Sequence, residues 1–166
     1  MAVREVLLYP DPLLKQVAAP VQAAQADAVR ADLLETMASR ERCVGLAAPQ
    51  LGELVRMVAV DCREHPKAET NNGLLVLANP RVVESSGTEV AREGCLSIPD
   101  LTANVRRATQ IAVTGRDPHG GSVEVESRGF EARCLLHEID HLDGILFLDR
   151  VDSLKRDVFR RKRRAH

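Results

Sequence analysis

Two imidazoles and a carboxylate stand close together in this chain, in His137-Glu-Ile-Asp-His141. Histidines four residues apart share one face of a helix and can bind a single metal ion. The glutamate after the first histidine, Glu138, can then handle the protons of a water that the metal activates. Because short motifs also occur by chance, the alternative is a buried helix whose histidines make only local hydrogen bonds.

The same segment predicts an amphipathic helix whose polar face carries the two histidines. Cys134 projects toward that face, but its Cα lies about 10.5 Å along the helix axis from that of His141. One ion is not easily held across that span, so we expect Cys134 to be a small apolar wall of the pocket. Asp140, at the edge of the polar face, is either a carboxylate that orients a neighbouring group or an exposed one. At about 100° per residue, the opposite face is apolar and carries Leu135, Ile139, Leu142 and Leu146.

A third metal ligand has to come from another segment, and Cys95 in Glu93-Gly-Cys-Leu-Ser97 is the better candidate. Gly94 before it lets the backbone approach closely while the thiolate points at the metal. On spacing alone, a buried structural cysteine is an equal alternative. A set of one cysteine and two histidines leaves the fourth position for water, which is typical of a catalytic site.

The segment Gly45-Leu-Ala-Ala-Pro-Gln-Leu-Gly52 also has two interpretations. It is either a tight turn between a helix and a strand, or a closely approaching backbone that presents the Gln50 amide as a hydrogen-bond donor.

The elements that must position these groups predict one α+β domain over residues 1–166. Helices are predicted at 25–41 with Asp27 as the cap, from about Phe130 to Leu142 with an end at Asp143-Gly144, and at about 153–164. Strands are predicted at 54–61, 74–78, 82–84, 88–92, 110–116 and 123–127, with a turn at Pro118-His-Gly-Gly121 between the last two. We expect mostly antiparallel β-sheets wrapped around the central metal-binding helix, with N-terminal and C-terminal helices.

Composition excludes several classes of protein. The 166 residues are 45% hydrophobic and 28% charged, an ordinary balance for one globular domain. There is no apolar run of membrane-span length and no signal-peptide pattern, so we expect a cytoplasmic protein. Four cysteines without a C-x-x-C pair favour free thiols or metal ligands over disulfides. A net charge of −1 and 2% aromatic residues argue against binding to DNA or single-stranded nucleic acid.

The C-terminal segment is more basic than the rest. From Lys155 onward there are seven Lys or Arg residues and one acid, Asp157. Such a run is usually the solvated end of a helix, and the alternative is contact with RNA or another acidic partner.

Together, the three segments resemble peptide deformylase, and their order along the chain also matches. The family shows a G-x-G-x-A-A-x-Q loop, an E-G-C-L-S segment and an H-E-x-D-H helix. Here they stand as Cys43-Val-Gly-Leu-Ala-Ala-Pro-Gln50, Glu93-Gly-Cys-Leu-Ser97 and His137-Glu-Ile-Asp-His141. The opening Tyr9-Pro-Asp-Pro12 is also similar, so the resemblance covers nearly the whole chain.

The resemblance implies a metal-dependent hydrolase that removes the formyl group from formyl-methionyl nascent polypeptides and releases formate. One divalent metal would be held by Cys95, His137 and His141, with Fe²⁺ favoured in the cell and Zn²⁺, Ni²⁺ or Co²⁺ possible. Glu138 would be the general base and acid, Gln50 and the Leu96 backbone N–H would stabilise the oxyanion, and Gly45 would hydrogen-bond the peptide as an added strand. The methionine pocket would involve Val44, Phe130, Cys134 and the ring of His137.

Three positions depart from the family pattern and bear on substrate preference. Cys43 replaces the first glycine of the first motif, where a positive φ would strain a cysteine. Arg133 stands where members often carry an apolar pocket residue, and Thr102 where many carry a basic residue near the peptide. The bacterial form of the family also suggests that the tail docks on the ribosome. The rival functions are a metallopeptidase that cleaves internal bonds and a catalytically silent peptide- or ribosome-binding module.

Overall fold

The computed structural model describes residues 3–117 and 119–161. Within them the α-helices are α1 Ala23–Ala38, α2 Gly129–Leu142 and the single turn α3 Leu154–Asp157. The strands are β1 Gly45–Ala47, β2 Met57–Asp61, β3 Leu74–Ser86, β4 Glu89–Cys95, β5 Ile98–Arg107, β6 Gln110–Arg116, β7 Ser122–Arg128 and β8 Val158–Arg160. None of the helices in these ranges is long and apolar enough to span a membrane.

The strands form two antiparallel sheets, as the sequence predicts. The first has the order β1-β2-β3-β6-β7 and the second the order β4-β5-β8. Strands β1 and β4 therefore each lie at the edge of a sheet, with one paired neighbour each among the described strands. The α+β architecture of antiparallel sheets around a central helix is confirmed.

Strand β2 lies between two helices and is buried on both faces. Its alternate residues point to opposite sides of the sheet. Val58 and Val60 pack in one core with Leu135 of α2, whereas Met57 and Ala59 pack in a second core with Leu33 of α1. Since full burial of such side chains contributes about 1.5–3 kcal/mol each, this strand fixes α2 against the sheet.

Helix α2 ends where the sequence predicts, because Gly144 meets two requirements at once. Its φ of 71° is in the left-handed region that favours glycine. A Cβ built on it would also lie 2.5 Å from the backbone oxygen of Lys15. The end of the metal-motif helix is therefore tied to the N-terminal segment.

Several element predictions are wrong. The C-terminal helix predicted at 153–164 is only the turn α3, since Val158 and Phe159 extend into β8 and pair with the free edge of β5. Residues 162–164 lie outside the described residues, as does Pro118 in the predicted turn. Asp27 is not the cap of α1; that helix begins after Gln22, whose backbone N–H donates to Gln25 Oε1 at 3.1 Å. The strands predicted at 74–78 and 82–84 are one strand, β3, with register shifts near Pro80.

Candidate metal centre and substrate cleft

The two histidines of α2 meet Cys95 at the end of β4. The potential ligand atoms of Cys95, His137 and His141 all lie within 4.8 Å of one another, and all three residues are buried. The Sγ of Cys95 is 3.4 Å from the Nε2 of His141. Cys134 is not part of this group; it lies in the wall of the adjoining pocket, beside Cys62.

The donor set fits one divalent metal ion. The Nδ1 of His137 is 2.8 Å from Glu93 Oε1, which leaves its Nε2 for a metal and fixes the plane of the ring. One thiolate and two imidazoles suit zinc, iron, cobalt or nickel, and three protein ligands leave a position for water or substrate. The buried Nδ1 of His141 has no hydrogen-bond partner among the described residues.

Burial lowers the pKa of both imidazoles, but their contacts differ. Burial alone would lower the pKa of His137, but the contacts with Cys95 and Glu93 outweigh it and hold that pKa well above its ordinary value. His141 lacks a carboxylate of this kind, so burial places its pKa well below the ordinary value. Burial therefore favours the neutral form of the His141 ring.

Glu93 is the centre of a buried ionic network behind the ligands. Arg107 donates Nε and Nη2 to its two carboxylate oxygens at 2.8 and 3.0 Å, and Arg133 Nη1 donates to Oε2 at 2.8 Å. Burial would raise the pKa of Glu93, but the hydrogen bonds from Arg107 and His137 outweigh it and hold that pKa far below its usual range. The carboxylate is therefore charged and available to His137.

Asp140 belongs to the same network, which decides between its two interpretations. It is buried, and its Oδ2 accepts from Arg107 Nη1 at 2.6 Å. Arg150 adds two bonds, from Nε at 3.0 Å and from Nη2 at 2.9 Å. Asp140 thus links α2 to β5 and holds the helix that carries both histidines.

Glu138 of α2 lines the same cavity as Cys95 and His137, and its carboxylate packs on the backbone of β1. A Cβ built on Gly45 would lie 2.7 Å from Glu138 Oε2, so glycine is what allows this approach. The buried Oε1 of Glu138 has no partner among the described residues. Burial raises the pKa of Glu138 to about 7, which suits a group that exchanges a proton near neutral pH.

Gln50 is oriented with its amide NH₂ toward the ligand group. Its Oε1 accepts from the Ala47 backbone N–H at 2.9 Å, so the other end of the amide faces Ser97 Oγ at 3.1 Å and Cys95 Sγ at 3.5 Å. Leu96 follows Cys95 in the two-residue turn between β4 and β5, where the pairing shifts register between Gly94 and Cys95. Both predicted oxyanion donors therefore lie next to the thiolate.

The remaining predicted residues line one cavity of about 190 Å³ that opens on this centre. Val44, Phe130 and Cys134 form part of its wall together with His137 and Glu138. Arg133 also lines it, although its guanidinium is taken up by Glu93 and by the backbone oxygens of Val105 and Glu89.

The exchange of glycine for Cys43 does not strain the backbone. The positive φ in this segment, 61°, belongs to Arg42 rather than to Cys43. The Cys43 Sγ lies 3.4 Å from the Gly45 backbone oxygen, and burial raises the pKa of the thiol to about 11. Cys43 is thus a protonated thiol at neutral pH.

Sequence reasoning missed the partners of His137. Glu93 lies two residues before Cys95 and so shares its strand face, a signal that could have identified it. Arg107, the partner of Glu93, carried no such local signal, because its contacts depend on how the strands and α2 meet.

The sequence profile of the family described as Polypeptide deformylase matches residues 3–157. The chain belongs to the polypeptide deformylase family. A peptide deformylase of Thermodesulfovibrio yellowstonii is 42% identical over 98% of this chain and 97% of its own length. One of Alkalilimnicola ehrlichii is 43% identical over 98% of this chain and 89% of its own length.

Solved structures agree in fold. A Met-Ala-Ser-bound class I type b peptide deformylase from Acinetobacter baumannii superposes with a TM-score of 0.83 at 35% identity, over 90% of this chain and 100% of that one. A peptide deformylase from Thermotoga maritima has a TM-score of 0.80 at 34% identity, over 92% of this chain and 100% of that one.

Proposed function

We propose that the chain is a metal-dependent hydrolase that removes the formyl group from the N-terminus of formyl-methionyl polypeptides and releases formate. The observation that carries this proposal is the convergence of the ligand atoms of Cys95, His137 and His141 within 4.8 Å, in a cavity that Glu138 also lines. Membership of the family supports the same reaction, as does the binding of Met-Ala-Ser, a product-like peptide, to the Acinetobacter relative.

Cys95, His137 and His141 would hold one divalent ion, which we propose is Fe²⁺ in the cell, with Zn²⁺, Ni²⁺ or Co²⁺ as substitutes. When bound, such an ion lowers the pKa of water and polarises a carbonyl oxygen. Glu93 keeps His137 in the tautomer that binds a metal, and Asp140 fixes the position of α2 against β5 through Arg107.

Glu138 is the proton carrier in this scheme. Its carboxylate accepts a proton from the attacking water and delivers it to the departing amine of the methionine. Burial supports this role because a pKa near 7 lets the group both accept and release a proton at neutral pH.

Gln50 and Leu96 would stabilise the negative charge that develops on the formyl oxygen. The Ala47 N–H fixes the Gln50 amide before substrate binds, so its donation costs little reorganisation. The Leu96 N–H would be the second donor, since Leu96 lies in the turn directly after Cys95. Loss of one such donor typically lowers kcat about a hundredfold or more.

The substrate chain would extend the first sheet. Strand β1 is an edge strand, so Gly45 can hydrogen-bond an extended peptide as an additional strand. The methionine side chain would enter the cavity formed by Val44, Phe130 and Cys134.

The deciding experiment compares formyl-Met-Ala-Ser with unblocked Met-Ala-Ser-Ala-Ser on anaerobically purified, metal-analysed protein. We expect formate from the first peptide and no cleavage of the second. Cleavage of the unblocked chain would instead favour the internal metallopeptidase, and activity with neither peptide would favour a silent binding module.

We also propose a cytoplasmic enzyme that contacts the ribosome through its basic C-terminal segment. A truncation after Arg161 is the appropriate test, because β8 is part of the second sheet and has to be kept. Unchanged co-sedimentation of this truncated protein with ribosomes would contradict the contact.

A further inference from the structure

Three exposed arginines lie around the cleft of the candidate metal centre. Arg42 flanks the edge strand β1, and Arg92 and Arg161 lie on the side of β4; all three line the same cavity as Cys95 and Glu138. Within residues 3–117 and 119–161, none of the three forms an ion pair with a carboxylate. Arg106, an exposed arginine away from this cleft, pairs with Asp152 at 2.9 Å.

Arg92 is held in place by neutral groups. Its guanidinium carbon lies 3.8 Å from the centre of the Phe159 ring. Its Nη1 donates to Thr102 Oγ1 at 3.2 Å and its Nε to Asn104 Oδ1 at 3.3 Å. These contacts orient the side chain and leave its charge uncompensated.

Arg161 lies directly over the residue that precedes the thiolate ligand. Its backbone N–H donates to the backbone carbonyl oxygen of Asp100 at 2.8 Å, which anchors it beyond β8. A Cβ built on Gly94 would be 1.9 Å from Arg161 Nη2, so the guanidinium occupies the space that a side chain at this position would need.

The carboxylates that line the cleft do not neutralise these arginines. Both oxygens of Glu93 are occupied by Arg107, Arg133 and His137. Glu138 is buried at the reacting end of the cleft. The cleft mouth therefore carries a positive charge that a substrate group can compensate.

We propose that Arg42, Arg92 and Arg161 select peptides that carry a carboxylate within the first few residues after the formyl-methionine. This selectivity rests on the proposed deformylation. A peptide paired with β1 advances about 3.3 Å per residue, so its next residues run between the edges of β1 and β4, where the arginines lie. The carboxylate can come from an Asp or Glu side chain or from the C-terminus of a short peptide.

The test uses C-terminally amidated formyl-Met-Ala-Ala-Ser variants with Glu, Gln or Lys at residue 2 or residue 3. We expect kcat/KM to be about fivefold higher for Glu than for Gln at one of these positions, mainly through KM, and lowest for Lys, as for a partly exposed ion pair. The free acid of formyl-Met-Ala-Ala, compared with its amide, shows whether a terminal carboxylate is also selected.

The variants Arg92→Gln and Arg161→Gln should each lower the Glu/Gln ratio, and Arg161→Glu should favour Lys over Glu. Arg106→Gln, which removes an exposed arginine away from the cleft, is the matched control and should keep the ratio. The selectivity would be overturned if the Glu/Gln ratio of kcat/KM were near one at both positions and the free acid and the amide were deformylated at the same rate. The proposed deformylation would still stand in that case. Absence of formate from every peptide would overturn both.

Discussion

The charges behind the metal ligands and the charges at the cleft mouth are arranged in opposite ways. Behind the ligands, Glu93 and Asp140 are buried and every oxygen has a cationic or imidazole partner. At the mouth, Arg92 and Arg161 are exposed and have no carboxylate partner among the described residues. The two groups of charges therefore have different roles. The fully paired charges hold the ligands in place, and the unpaired arginines are available to a substrate.

The largest effect is expected for Glu138→Gln, which removes the proton carrier and keeps the inner network. Turnover of formyl-Met-Ala-Ser should fall by about a thousandfold because general acid–base catalysis is lost. Metal content, measured by elemental analysis, should be unchanged because the three ligands remain. A variant with near-normal kcat would contradict the assigned role.

Glu93→Gln breaks the inner network directly. It leaves the buried Arg133 without its carboxylate partner and Arg107 with Asp140 alone, so the free energy of unfolding should fall by about 3 kcal/mol in urea denaturation. Metal affinity, measured by chelator competition, should fall by about ten- to a hundredfold because His137 loses its charged partner. Wild-type values for both quantities would mean that the network does not support the ligands.

Gly45→Ala tests the contact between β1 and the proton carrier. The new Cβ would stand 2.7 Å from Glu138 Oε2, so the carboxylate has to move and kcat should fall by about ten- to a hundredfold. Gly45→Ala should lower the thermal stability of the Glu138→Ala variant less than that of the wild type, because the carboxylate it would contact is absent. An equal loss of stability in the wild type and in the Glu138→Ala variant would mean that the strain does not come from the contact with Glu138.

Salt should weaken the contribution of the arginines at the cleft mouth but not that of the buried network behind the ligands. Raising ionic strength from about 0.05 to 0.5 M shortens the screening length to less than 10 Å and should reduce the Glu/Gln substrate preference toward one. Deformylation of the neutral peptide should change little, because the inner ion pairs are buried. Equal loss for both peptides would show that salt acts on the fold or the metal site.

The smallest effect is expected for the surface pair. Arg106→Gln removes the ion pair with Asp152, and the side chains of both residues are more than half exposed. The free energy of unfolding should therefore change by no more than about 1 kcal/mol. A larger loss in urea denaturation would mean that Arg106 stabilises more than this surface contact.

Local patterns predicted the residues that come from one helix or one strand. His137 and His141 need only the helical repeat, and the end of α2 needs only Gly144. The assignment of Cys95 as a metal ligand depends on the family resemblance, because its spacing alone is equally compatible with a buried structural cysteine. The network of Arg107 and Asp140 depends on contacts between distant segments, which a local pattern does not encode.

The wrong prediction of a C-terminal helix at 153–164 has a similar cause. Phe159 lies in a charged segment that reads as helix, but β5 offers a free edge and Arg92 a cation for the ring. Strand β5 is absent from the predicted strands because Pro99, Asp100 and Asn104 interrupt the apolar alternation.

The register shift at Gly94 and Cys95 has an evolutionary consequence. Adding or deleting one residue in this hairpin would turn Cys95 away from α2 and put a neighbour in its place. Relatives should therefore vary the side chains around this turn while keeping its length constant. The connection between β6 and β7, where residues 119–121 are exposed, is where insertions and deletions should accumulate.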